Sequence, residues 1–346
     1  MTTRAGSSIG ALMIAMAAAA AGSLTAHGQT PKAAKASAAN AGWTPHRTPW
    51  GHPDLQGIYT NKDEANTPLE QPAELRGRSL RDFTDADLAK LAQARQAQAR
   101  EIAPAIGGAE TGAGPTHWYD HLQARGSRPW MIVDPPDGQL PPLTPQGERR
   151  EAAIAALNGA RQGEGRADSW EDRSLYDRCI TRGIPGSMMP VIYGNSYQIL
   201  QTPDAVVIRY EMIHETRVVP VDGRPHLSSK IRQYLGDARG HFDGNSLVVE
   251  TTNFTSRTHF GYNNRYNSEK LRLVERLTPI APDMVQWEVT FDDPETWTRP
   301  WTFAMLLRKD ESQPIFEYAC HEGNYGLVHI LSGARAEDSK RVGPDR

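Results

Sequence analysis

The chain has 346 residues, with 38 Lys and Arg against 41 Asp and Glu and a formal net charge of −3. A balance that small and mixed argues against nucleic acid or an anionic membrane as a partner. Hydrophobic residues make up 38%, and 25 Pro and 30 Gly interrupt them, so loops are expected around one large domain or two modest ones.

Arg4 supplies a short positive start, and the run from Ile9 to Leu24 is nearly all apolar or small. Ala26-His27-Gly28 then places small residues where a signal peptidase reads, so cleavage is expected before Gln29. The run falls short of the ~20 apolar residues that a bilayer span needs. Residues 1–28 therefore read as a secretory signal, giving a periplasmic or secreted product without a membrane span. Residues 29–42 carry no apolar period and read as a disordered linker.

A short strand is expected at Leu55–Thr60. Thr84 caps a helix with Asp87 three residues on, which predicts a helix over Asp85–Ile102. Gly107 to Pro115 reads as a flexible loop. Thr144 and Pro145 open a second helix to about Ala160, and a third is expected at Ser169–Ile180.

From Tyr197 the period changes to two. Strands are expected at Tyr197–Gln201, Ala205–Met212, Glu215–Val221, Ser229–Phe242, Ser246–Phe254, Leu271–Ile280, Met284–Phe291, Trp301–Arg308 and Ile315–Cys320. Their connections carry turn chemistry, such as Pro203-Asp204, Asp243-Gly244-Asn245 and Pro282-Asp283, which makes sequential neighbours antiparallel. So many strands in a row leave two exposed edges unless they close. The fold class expected is mainly β: an antiparallel meander closing as a lipocalin-like barrel, with a helical and loop-rich N-terminal half. A two-sheet sandwich is the alternative. The barrel is expected over 196–336, the helical segment over 43–195, and a flexible tail over 337–346.

The two cysteines, Cys179 and Cys320, read in an oxidising compartment as a disulfide, with two unrelated buried thiols as the competing reading. Glu275 shares a face with Leu271, Leu273 and Leu277, and an acid among leucines needs a partner. Solvation, or pairing with nearby arginines such as Arg217, is the bland explanation; a polar-lined cavity for a small molecule is the functional one. His214, His226, His241 and His321 each have an acid close by in sequence and are the candidate metal ligands, iron being a suitable metal, although none shows an HxH or HExxH spacing. As acid–base groups, His214 and His321 are the first choices, with Glu275 and Glu317; Arg217, Glu250, Trp287 and Trp301 are the ligand-binding candidates. No GxSxG, P-loop, GxGxxG or CxxC is present, which removes the hydrolase, nucleotide and thioredoxin-like classes they mark.

Several stretches carry a resemblance: residues 53–58 (PDLQGI), 132–138 (IVDPPDG), 178–186 (RCITRGIPG), 214–217 (HETR), 222–226 (DGRPH), 248–254 (VVETTNF) and 318–325 (YACHEGNY). In these the chain resembles a large, uncharacterised family of exported bacterial proteins, over about residues 43 to 336. The resemblance implies one integrated unit and brings no reaction with it. The function expected is that of an exported small-molecule-processing protein with a His/Glu-lined barrel cavity, such as a metal-dependent oxygenase or a lyase acting on a small aromatic or apolar compound. A binding or carrier protein without turnover is the alternative, and an envelope interaction protein with purely structural charges is a third.

Overall fold

In the computed structural model, which describes residues 43–102, 119–158, 167–257, 267–312 and 314–341, the period-two stretches pair into one ten-stranded sheet. The strands are β1 (Gly57–Thr60), β2 (Ile132–Asp134), β3 (Ser196–Gln201), β4 (Ala205–Tyr210), β5 (Thr216–Pro220), β6 (Asp237–Asp243), β7 (Ser246–Thr252), β8 (Arg272–Ala281), β9 (Met284–Asp292) and β10 (Trp301–Lys309). All their pairings are antiparallel, in the order β5-β4-β3-β1-β10-β9-β8-β7-β6, with β2 added to one end of β10. The first strand thus pairs with the last, Tyr59 opposite Lys309, and the meander closes nearly into a barrel. The opening lies between β5 and β6, consecutive strands joined by the long connection 221–236 rather than a tight turn. Gly240 permits the approach there: a Cβ on it would lie 2.9 Å from Val219 and 3.0 Å from Val221.

Alternation on each strand decides what fills the barrel. Leu273, Glu275 and Leu277 of β8, Val285, Trp287, Val289 and Phe291 of β9, and Trp301, Phe303, Met305 and Leu307 of β10 are all buried. Phe291 and Trp301, partners in register, stack at 4.2 Å and 2°, and Trp287 meets Phe303 edge-on at 5.5 Å. Each Val, Leu, Met or Phe among them contributes about 1.5–3 kcal/mol by leaving water, whereas the Glu275 charge is costly to bury.

The helices α1 (Asp85–Ile102) and α2 (Pro145–Asn158) lie in the excursion between β1 and β3. Both begin where their caps predict. Asp87 accepts from the Thr84 N–H at 2.9 Å while its own N–H donates to Thr84 Oγ1 at 3.2 Å, and Gly147 N–H donates to Thr144 Oγ1 at 3.0 Å. A third helix, α3 (Tyr325–Arg341), follows the sheet: it takes the end of the stretch expected as barrel (196–336) and reaches into that expected as tail. None of the described helices is long and apolar enough to cross a membrane.

Three expected elements are corrected. Ser169–Ile180 is a single helical turn, Trp170–Asp172; its Ser169–Asp172 capping box is real, but the chain then turns and reaches Cys179 at φ 56°, where no right-handed helix continues. Of Ser229–Phe242 only the last part, from Asp237, is strand: Ile231 N–H turns back to the Ser228 carbonyl at 2.9 Å, and Gly236 at φ 67° breaks the extended run just before it. Ile315–Cys320 joins no ladder: β10 already has β9 on one side and β1 and β2 on the other. The signal, the linker and the loop at Gly107–Pro115 lie outside the described residues.

Candidate functional site

Three of the motif segments, residues 178–186, 214–217 and 318–325, converge on the turn between β4 and β5. A disulfide joins Cys179 to Cys320, 141 positions apart in sequence. Asn324 Nδ2 reinforces it, donating to the Asp177 carbonyl at 3.3 Å and approaching Cys179 Sγ at 3.4 Å.

Local backbone strain is concentrated here. Ile213 and His214 both lie in the left-handed region, at φ 58° and 46°. That conformation costs an L-residue about 1–2 kcal/mol, and a β-branched one is a true outlier there. The turn is held from both sides. Met212 and Ile213 are buried, the Glu211 carboxylate accepts from Ser196 N–H at 3.2 Å, and Tyr210 N–H donates to the Glu215 carbonyl at 2.8 Å. Strain retained under such constraint is characteristic of functional sites.

The turn presents His214 to solvent, and its ring lies 6.4 Å from that of His321, also exposed. His214 Nδ1 is 3.0 Å from the Tyr318 carbonyl oxygen. A carbonyl only accepts, so Nδ1 carries the proton and Nε2 is left as the basic nitrogen of the neutral ring. Tyr318 and Tyr176 share a hydrogen bond between hydroxyls at 3.2 Å, and the Tyr193 ring stacks on Tyr318 at 6.3 Å and 20°. Burial raises the pKa of both Tyr176 and Tyr318, so these phenols stay protonated at neutral pH. Ser187 Oγ donates to the Glu215 carboxylate at 2.9 Å; burial pushes that acid's pKa up, while the Thr181 and Ser187 hydrogen bonds and the charge of His214 oppose the shift.

Glu275 lies elsewhere, wholly buried inside the barrel, where Arg217 Nη2 donates to it at 2.5 Å and Trp287 Nε1 at 3.3 Å. Burial alone would lower the Arg217 pKa, but the adjacent Glu275 charge raises it above the ordinary arginine range. Arg217, Trp287 and Trp301, expected as ligand-binding, are core residues in an interior packed with aromatic rings. The His/Glu-lined barrel cavity is not formed among the described residues: strand alternation turns Glu275 inward, whereas both histidines lie off the strands and in solvent. Glu250 points outward, accepting from Arg272 Nε at 2.7 Å, and Glu317 is exposed on the last extended segment.

The four histidines expected as metal ligands divide three ways. His214 and His321 meet. His226 sits between Asp237, 2.9 Å from Nδ1, and Glu250, 3.3 Å from Nε2, while His241 is exposed on β6. Among the described residues no three His, Cys, Asp or Glu side chains are placed to hold a metal ion. A pocket of about 450 Å³, counting its open mouth, lies at one end of the barrel among Trp43, Tyr59, Pro279, Val285 and Lys309 and contains none of the predicted site residues. There burial, with Asp54 and Glu311, pushes the Tyr59 pKa up to about 12.

Sequence reasoning missed Tyr176, Tyr193 and Arg182 as members of the site, while Glu215 is the acid it places beside His214. The signal was positional: Arg182, Glu215 and Tyr318 all sit inside motif segments that the disulfide and the β4–β5 turn gather. No family model, curated protein or solved structure matches the chain.

Proposed function

We propose that the chain is an exported protein that processes a small aromatic or apolar molecule by proton transfer, as a lyase does, at the His214–His321 pair. The observation that carries this reading is the 6.4 Å separation of two exposed imidazoles, one of them held in a strained turn with its Nδ1 proton engaged. His214 Nε2 accepts a proton from the substrate, and His321 returns one to the departing or rearranged group. The stacked Tyr193–Tyr318 pair offers a planar substrate an aromatic wall. The disulfide suits an oxidising compartment, in keeping with the secretory signal read at residues 1–28.

The test is hydrogen–deuterium exchange at carbon. Purified protein in D₂O is incubated with a panel of small aromatic compounds bearing an acidic C–H, and deuterium incorporation is followed by NMR. Catalysed exchange is expected, falling by about 10²–10⁴-fold in His214→Gln and His321→Gln. Binding without exchange would favour a carrier, and exchange unaffected by either substitution would overturn the assignment.

A further inference from the structure

Arg182 stands apart from the other buried arginines. Arg217 pairs with Glu275, Arg173 with Asp177, and Arg128 and Arg95 each lie within electrostatic reach of Glu64. Arg182 is only 7% exposed, and its Nη1 donates to the Met189 carbonyl at 3.0 Å. The groups within its electrostatic reach are the phenols Tyr176, Tyr197 and Tyr318, and among the described residues no carboxylate forms an ion pair with it. The nearby acids are engaged otherwise: Glu215 with Ser187, Asp177 with Arg173, and Glu211 with Ser196.

A buried cation without a counterion is costly, and burial accordingly lowers the Arg182 pKa. The phenols cannot supply the missing charge. Burial raises the pKa of Tyr176, Tyr197 and Tyr318 even with the guanidinium close by, so they remain neutral. The fold therefore retains a positive charge within electrostatic reach of the Tyr176–Tyr318 hydroxyl pair, whose Tyr318 carbonyl engages His214, and among the described residues no carboxylate pairs with it.

We propose that Arg182 is the anion-recognition residue of this site and that the molecule it binds carries a carboxylate. The guanidinium fork matches a carboxylate with two parallel N–H···O bonds, and of the Tyr176–Tyr318 hydroxyl pair the one that accepts the shared bond keeps its proton to donate. The Tyr193–Tyr318 stack then accommodates a planar group attached to that carboxylate. This names the substrate class for the acid–base site and rests on its location there, but not on the histidines' chemistry.

Benzoate and its uncharged isostere benzamide are the probes, with inorganic phosphate as a third arm, read by NMR shifts of the tyrosine rings and by calorimetry on the full chain. Wild type is expected to bind benzoate at least tenfold more tightly than benzamide or phosphate. Arg182→Gln is expected to lose that preference, and Arg182→Lys to keep part of it. Equal binding of benzoate and benzamide, preference for phosphate, no benzoate binding, or a preference intact in Arg182→Gln would each overturn the proposal. Should Arg182→Gln fail to fold, the wild-type preference and its reduction in Arg182→Lys decide. Benzoate binding retained in His214→Gln/His321→Gln, with carbon exchange already absent in wild type, would leave the anion site standing while the proton-transfer reading fails.

Discussion

Arg217 of β5 and Glu275 of β8 form an ion pair across the barrel interior, at 4% and 0% side-chain exposure. It spans the one gap in the sheet, since β5 is not hydrogen-bonded to β6, and so ties the two ends of the meander from inside. Trp287 Nε1 donates to the second Glu275 oxygen, and the Tyr210 phenol lies beside the Arg217 guanidinium. Removing one charge strands the other in the core. Glu275→Leu is expected to cost about 3–5 kcal/mol in urea unfolding, whereas the double change Arg217→Met/Glu275→Leu should recover most of it. A single substitution costing under about 1 kcal/mol would mean that the pair is hydrated rather than buried.

The disulfide carries a second expectation. Cys179 and Cys320 close a loop of 141 positions and attach the segment bearing Tyr318 and His321 to the one bearing Arg182. Cys179→Ala/Cys320→Ala should lose about 2–5 kcal/mol. It should also separate His321 from His214, so that carbon exchange falls more than stability explains. Non-reducing peptide mapping of the wild type should recover both segments as one species; free alkylation of both thiols in denatured, unreduced protein would refute the bridge.

Much of this architecture was legible because its determinants are local. Asp243-Gly244-Asn245 and Pro282-Asp283 sit between period-two runs, and the Thr84–Asp87 box marks the start of α1 by itself. What escaped was set by distant contacts. Residues 229–236 look like the start of a strand but turn at Ser228–Ile231 and at Gly236, and Ile315–Cys320 has strand composition but no vacant edge. In α3, Leu327, Ile330, Leu331 and Ala334 recur at helical spacing, yet that stripe is only half-buried and therefore weak. His214 and His321 meet, as expected of the acid–base pair, but on the surface rather than inside a closed barrel. Their meeting depends on a left-handed turn at Ile213–His214 and on a crosslink, and of the two readings open for Glu275 the structure shows the pairing with Arg217, since an inward acid serves a core ion pair as readily as a site.

Glu64 makes a pH dependence testable. It is 1% exposed, accepts from Thr67 Oγ1 at 2.9 Å and from Ser127 N–H at 3.2 Å, and burial holds its pKa above the ordinary carboxylate value despite those bonds. The folded state therefore binds this proton more tightly than the unfolded state. Its contribution to stability is full below the unfolded pKa and is lost as pH rises through the folded one. Glu64→Gln should flatten the fall in stability above about pH 4.5. Denaturant unfolding of both proteins at several pH values checks this, and parallel profiles would show that Glu64 is not the titrating group.

His214 offers the sharpest separation of function from folding. Its φ of 46° costs an L-residue about 1–2 kcal/mol, while its side chain is exposed and makes one bond, Nδ1 to the Tyr318 carbonyl. Glycine removes the strain and forfeits that bond, itself worth about 0.5–1.5 kcal/mol, and it adds unfolded-state entropy of about 0.5–1 kcal/mol. These terms nearly cancel, so His214→Gly should unfold within about 1 kcal/mol of wild type while carbon exchange falls by 10²-fold or more. His214→Asn, which tolerates the left-handed conformation, should behave alike in stability and be equally inactive. A loss of stability beyond about 2 kcal/mol in both variants would mark the imidazole as a structural clasp for the Tyr318 segment. Full stability with undiminished exchange would remove His214 from the chemistry.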